Sequence, residues 1–183
     1  MSLHADARAL LGSWPAPYAD QERLRARYVA HLDAHPDGMT RACRPDHLTA
    51  STLVLSADHT HVLLTLHAKA RQWFQLGGHC EPGDATLAGA ALREATEESG
   101  LTDLLLDPVP VQLSEHAVPF CGPDGDVHHL DVRFVGVART DTDQVVSDES
   151  IDVAWWPADA LPDDPEPEML ELVRLALERV ASS

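Results

Sequence analysis

The stretch from Gly77 to Leu101 constrains this chain more than any other. A glycine-rich loop, Gly77-Gly78-His79-Cys80-Glu81-Pro82-Gly83-Asp84, opens into a helix that closes on Arg93-Glu94-Ala95-Thr96-Glu97-Glu98-Ser99-Gly100-Leu101. Asp84 reads as the N-cap, Leu87, Ala91 and Ala95 recur at helical spacing, and Gly100 is a natural stop. Glu94, Glu97 and Glu98 then project from one side of the helix. Like charges at this spacing repel, and the last turn of a helix already carries partial negative charge, so each violation costs about 0.3–1 kcal/mol. A hard divalent cation would relieve the repulsion, because such ions seek clustered carboxylate and carbonyl oxygens. The plainer reading is an exposed acidic helix end that keeps an acidic protein soluble.

Composition sharpens that choice. Thirteen Lys and Arg against thirty Asp and Glu give a formal charge of −17. Such a surface repels phosphate backbones and anionic membranes, so neither stable nucleic-acid binding nor membrane binding is expected. A small phosphorylated substrate would meet the same repulsion unless a cation bridged it. No apolar run is long enough to span a bilayer, and Ala9-Leu10-Leu11 before Trp14-Pro15 is too short for a secretory signal. The expected compartment is the cytoplasm. Three cysteines, Cys43, Cys80 and Cys121, indicate no disulfide framework. Eleven histidines invite a zinc reading, above all Cys43 with His47 and the pair His128-His129. No Cys-x2-Cys or His-Glu-x-x-His spacing is present, so reduced thiols and surface histidines are the expectation.

Periodicity places the remaining elements. A helix from about Asp20 carries Leu24, Tyr28 and Leu32 on one stripe, with Arg23, Arg25 and Arg27 elsewhere, and His35-Pro36-Asp37-Gly38 ends it. The arginines read as a solvated face against an acidic body rather than as phosphate contacts. Strands follow at Leu48 to Ser56 and at His61 to His67, forming a hairpin. Lys69 and Arg71 lie in a basic step, and Trp73 reads as core or as the base of a cleft, with stacking as the sharper alternative. Leu104 to Val118 suggests strands, with Pro108 and Pro110 favouring an edge or a break. Cys121 to Gly125 is read as a loop tip and Thr140 to Ser150 as an acidic loop. Between them His129 to Arg139 is a clear strand, with Leu130, Val132 and Phe134 on one face and Asp131, Arg133, Val135 and Val137 on the other. Ile151 to Trp156 is a further strand. A closing helix buries Met169, Leu170, Val173, Leu177 and Val180. Strands around one internal helix, with a terminal helix, point to an α/β fold whose mixed sheet lies between helices.

The loop and helix resemble the signature of the Nudix (MutT-like) hydrolase family, Gly-x5-Glu-x7-Arg-Glu-U-x-Glu-Glu-x-Gly-U with U aliphatic. Arg93, Glu94, Ala95, Glu97, Glu98, Gly100 and Leu101 match its second half position by position. The first half departs. Its glutamate falls on Ala85 when counted back from Arg93 and on Asp84 when counted forward from Gly78, so the loop is one residue longer.

The resemblance implies a Nudix α/β/α sandwich over residues 46–183, preceded by an N-terminal helical extension over residues 1–45. It implies hydrolysis of the diphosphate bond of a nucleoside diphosphate linked to another group, with Mg2+ as cofactor and Mn2+ as substitute. The substrate is a small phosphorylated nucleotide. Glu94 and Glu98 would be the principal ligands, Glu97 a further ligand or the group polarising water, and Gly78 a carbonyl donor, while Arg93 would orient a glutamate. Members also use an acid outside the signature. Glu149 is the first candidate here, ahead of Glu115 and Asp148. The alternative function is a Nudix-like sensor that binds nucleotides without cleaving them. The N-terminal helix could close over the cleft or pair with a second subunit in a homodimer.

Overall fold

The computed structural model describes residues 1–119, 121, 127–139, 150–162 and 165–182. The acidic loop, including Asp148 and Glu149, and the loop tip after Cys121 lie outside the described residues. The chain runs α1 (Leu3–Ser13), α2 (Ala19–Ala34), β1 (Asp46–Leu55), β2 (His61–His67), β3 (Trp73–Phe74), β4 (Leu76–His79), α3 (Leu87–Ser99), β5 (Leu104–Ala117), β6 (His128–Ala138), β7 (Ser150–Pro157) and α4 (Pro167–Ala181). The strands form one mixed sheet in the order β3-β2-β1-β6-β5, with β4 also pairing with β1 and β7 with β2.

Central β1 serves three neighbours. It runs parallel to β6 from Asp46↔His128 to Leu55↔Val137, while its other edge pairs with β4 at Thr49–Thr52 and with β2 at Val54 and Leu55. β1 is buried on both faces, one carrying Leu48, Ala50 and Val54 and the other passing from the polar His47, Thr49 and Ser51 to Leu53 and Leu55. Leu48 and Ala50 face one layer together with Leu130, Val132 and Phe134 of β6, and that layer contains α1, α2 and α3. Leu53, Leu55, Val62, Leu64 and Val135 face the other, which α4 covers through Met169, Leu172, Val173 and Ala176. The alternation read along β6 is therefore present. On α4 the buried stripe is rotated from the expected one, for Leu170 is 52% exposed and Leu172 and Ala176 point inward instead.

Strand β5 is the edge its prolines required. It is one long strand whose register with β6 shifts between Asp107 and Gln112, where Pro108 and Pro110 cannot donate to a ladder. Its outer side is capped by side chains. Gln21 on α2 donates to the Leu113 carbonyl (2.9 Å) and accepts from the Leu113 N–H (2.6 Å), and Trp14 donates to the Pro110 carbonyl (2.7 Å). These contacts shield an edge that would otherwise invite another chain.

The N-terminal segment is thus part of the core. Leu24, Tyr28 and Leu32 lie against the protein's own sheet, beside Ala7, Leu11 and Trp14. The helix α1 was not read from the sequence. Its apolar positions Ala7 and Leu11 form too short a stripe, flanked by Ala and Gly, to separate it from an extended lead-in. Arg27 forms ion pairs with Glu115 and Asp46 of the sheet, whereas Arg23 and Arg25 pair with Asp20 and Glu22 of their own helix. Because Leu11 is fully buried against the sheet, Leu11→Ala should destabilise the whole domain by about 2–5 kcal/mol, measured as a lower urea midpoint with an unchanged slope. A helix that merely rested on the domain would leave the midpoint in place.

Candidate functional site

Where β4 runs into α3, backbone and carboxylates approach closely. Gly77 is opposite Ser51 and Gly78 opposite Ala50 in the β1–β4 ladder. A methyl group on Gly77 would lie 2.3 Å from Ser51 Cβ, so no other residue fits there. On Gly78 it would lie 2.7 Å from Glu94 Oε2 and 2.8 Å from Glu94 Cδ. The absent side chain leaves room for that carboxylate against the strand. Glu98, one turn further on, accepts the Gly77 N–H at 2.9 Å through Oε2. Two glutamates of one helix face are thereby brought to two adjacent residues of one strand.

Arg93 organises the rest. Its Nη1 donates to Glu94 Oε1 and to Glu97 Oε2, both at 3.0 Å. Its Nε and Nη2 grip Asp84 at 3.0 and 3.1 Å, and Nη2 also donates to the His79 carbonyl at 3.0 Å. One guanidinium thus spans the loop and the helix, using the fork geometry that a lysine lacks. Burial opposes ionisation of Asp84, but the bonds from Arg93 and from the Glu81 amide (2.7 Å) outweigh it and hold the carboxyl below its usual range. Those same bonds to Asp84, then the charge of the neighbouring Glu94, push the guanidinium higher still.

This geometry corrects one expectation. Asp84 does not cap α3. The helix starts at Leu87 and Thr86 is its N-cap, its hydroxyl accepting the Gly89 N–H at 3.0 Å. The Leu87 N–H instead donates to Asp6 of α1 at 2.8 Å. Asp84 is freed to hold Arg93 because the longer loop places it two residues before the cap. At the other end Gly100 caps the helix as expected, in the left-handed region at φ 72°.

The other sequence candidates are placed as follows. Glu115 is held by Arg27 through both carboxylate oxygens, each at 2.7 Å. Lys69 and Arg71 are exposed in the turn between β2 and β3. Half-buried Trp73 meets Trp156 edge to face, with ring centroids 5.4 Å apart. It lines a pocket with Phe74, Gln75, Arg133, Glu168 and Met169. Beneath this pocket is a buried polar network that the sequence did not announce. Asp131 accepts from Ser51 (2.7 Å), Thr49 (3.0 Å), Gln75 (3.2 Å) and Arg133 (3.1 Å).

The family model of the NUDIX domain matches residues 45–176. The chain belongs to the Nudix family. Solved structures resemble it over most of their length. A NUDIX-family hydrolase from Clostridium perfringens is 23% identical with a TM-score of 0.60, covering 73% of this chain and 97% of its own. A C. elegans Ap4A hydrolase, solved as a binary complex, is 19% identical with a TM-score of 0.63, covering 74% and 98%. The NUDIX domain of Shewanella oneidensis NrtR, solved with ADP ribose, is 21% identical with a TM-score of 0.59, covering 85% and 97%. Comparison with curated proteins returns no significant match. The match to the NUDIX model begins at residue 45, after α1 and α2.

Because the Asp84 side chain is only 7% exposed and meets Arg93 twice, Asp84→Ala should cost about 1.5–3 kcal/mol in urea unfolding. A loss below that range would mean that Arg93 is held well enough by Glu94, Glu97 and the His79 carbonyl.

Proposed function

We propose that this Nudix protein is a divalent-cation-dependent hydrolase that cleaves the diphosphate bond of a nucleoside diphosphate linked to another group. The observation that carries the reading is the convergence of Glu94 and Glu98 on Gly77 and Gly78. Donors of this kind, carboxylates from Glu94, Glu97 and Glu98 with the Gly78 carbonyl, are all oxygen and suit a hard cation. Magnesium keeps several waters and so needs few protein ligands, and manganese accepts the same donors. The space at Gly78, which a single methyl group would deny to the Glu94 carboxylate, fits such a site.

When bound, the cation supplies the positive charge that a phosphorylated substrate needs on a protein of net charge −17. The chain's own residues do the positioning. Arg93 holds Glu94 and Glu97 in place, and the Gly77 amide does the same for Glu98. Glu97, with a side chain 60% exposed, is the acid best able to reach a water or a further ligand position. For the acid outside the signature we retain Glu149. The pocket that Trp73 and Phe74 help to line offers an aromatic surface to a nucleobase. The similarity to an Ap4A hydrolase and to a domain that binds ADP ribose supports a nucleotide substrate.

A non-catalytic sensor is the second reading, favoured by the altered first half of the signature and opposed by the intact glutamates. Incubation with magnesium and a panel of nucleoside triphosphates, nucleotide sugars, dinucleoside polyphosphates, ADP-ribose and NADH decides between them. Release of phosphate or nucleoside monophosphate supports the hydrolase, and tight binding without release supports the sensor. On a confirmed substrate, Glu98→Gln should lower kcat by about 100-fold or more while the fold persists, since misplacing one positioning group by about 1 Å costs that much. Gly78→Ala should act in the same direction by displacing Glu94. Wild-type turnover of Glu98→Gln at saturating magnesium would remove Glu98 from the mechanism.

A further inference from the structure

Four metal-ligand side chains meet on the sheet face opposite the signature glutamates. His47 and His129 are direct partners in the parallel β1–β6 ladder, so their rings stand side by side on one face. His79 is opposite Thr49 in the β1–β4 ladder, and Thr49 shares the face of His47, so the third ring joins them. Cys121 arrives from the β5–β6 connection. Its N–H donates to the Val118 carbonyl (2.9 Å), and it is buried with Val118 and Val127. The four ligand atoms all lie within 4.8 Å of one another.

The sequence expectation of surface histidines fails for His47, which is 1% exposed, and the Cys121 side of the group is buried as well, at 6%. Each ligand comes from a different strand or connection, so no short spacing motif exists to be found. Of the pairings considered from the sequence, the Cys43 thiol is not among the ligand atoms grouped with His47 and lies beside His31 instead, while its carbonyl accepts the His47 Nδ1–H (3.2 Å). His128 turns away to Asp46, at 3.2 Å.

We propose that His47, His79, Cys121 and His129 form a closed tetrahedral zinc site. Cys121 Sγ lies 3.8 Å from Nε2 of His47, 3.4 Å from Nε2 of His79 and 3.3 Å from Nε2 of His129. Zinc bonds of about 2.3 Å to sulfur and about 2.0–2.1 Å to nitrogen at a tetrahedral angle place S and N about 3.5 Å apart. The three distances bracket that value. A metal-free cluster would hold the same contacts through thiol S–H and imidazole N–H donors, an arrangement that gives no thiolate-to-cobalt band. His47 donates its Nδ1–H to a carbonyl, which leaves its Nε2 lone pair aimed inward, the second contact that zinc-bound histidines characteristically make. Thiolate and imidazole donors select zinc over magnesium, and four protein ligands leave no open position, the mark of a structural rather than catalytic metal.

The site would brace the signature loop. His79 follows Gly78 directly, and its carbonyl accepts from Arg93 at 3.0 Å while its ring turns to the other face of the sheet. Zinc would anchor the loop entrance to β1, β6 and the connection after β5.

The untagged full-length chain, purified without chelator, should contain one zinc per chain by elemental analysis. After chelation it should rebind zinc one to one. Cobalt in its place should give the intense visible bands of a tetrahedral ion and a near-ultraviolet thiolate charge-transfer band. Cys121→Ser and His129→Asn should each weaken zinc binding by at least about 100-fold, the upper end of the loss seen when only an outer contact is removed. Glu98→Gln should bind zinc as wild type does, which separates this site from the signature carboxylates. Failure of the chelated wild type to bind zinc, bound cobalt without the thiolate band, or full binding in both ligand variants would each overturn the proposal. The cobalt spectrum is read on the wild type and stands even if a variant fails to fold.

Discussion

Arg93 is the contact on which the site's geometry depends. Three carboxylates near the end of one helix ought to drive one another apart, and the helix terminus adds to the strain. A single guanidinium takes up Glu94 and Glu97 together with Asp84, while the Gly77 amide donates to the remaining member, Glu98. The acidic face is therefore held in one arrangement by the protein itself, before any cation contributes. A preformed site has less ordering to do when it binds an ion or a substrate. The arrangement also links loop to helix, since the same guanidinium reaches the His79 carbonyl.

That arrangement is built on a helix whose start is supported from outside the matched domain. Asp6 of α1 accepts the Leu87 N–H, one of the donors that a helix N-terminus leaves without an intrahelical partner. Trp14 and Gln21 cover the exposed side of β5, and Tyr28 fills the layer between α2 and the sheet. The residues before the NUDIX match thus close a sheet edge and hold the signature helix from behind. Neither a lid over the cleft nor a dimerisation stripe is needed to explain Leu24, Tyr28 and Leu32.

What could be read from the sequence was local. The helical periodicity of α3, its stop at Gly100, the two faces of β6 and the irregular edge at Pro108 and Pro110 all follow from short-range rules of spacing and backbone chemistry. Asp84 was misread for a physical reason: aspartate and threonine both cap helices, and choosing between them requires knowing that Arg93 returns to claim the aspartate. Leu170 was misassigned on α4 because a 3.6-residue period admits stripes rotated by one position, and only the sheet beneath selects Leu172 and Ala176. His47, His79, Cys121 and His129 span more than seventy positions, and strand order alone unites them. Periodicity carries no strand order.

The sheet divides the chemistry of the protein into two donor types. On the α3 side the groups are carboxylate and carbonyl oxygens around Gly78, which favour hard ions and exchangeable waters. Across the sheet, at the next residue, three imidazoles and a thiol favour a soft, tightly held ion with no exchange position. Gly78 and His79 are adjacent, and alternation along β4 sends their side-chain directions to opposite faces, so one strand can serve both sites without mixing their ligands. A loop that must hold backbone groups to within a fraction of an ångström beside a glutamate gains most from an anchor at its own first residues. His79 is the position from which such an anchor would act most directly on Gly78.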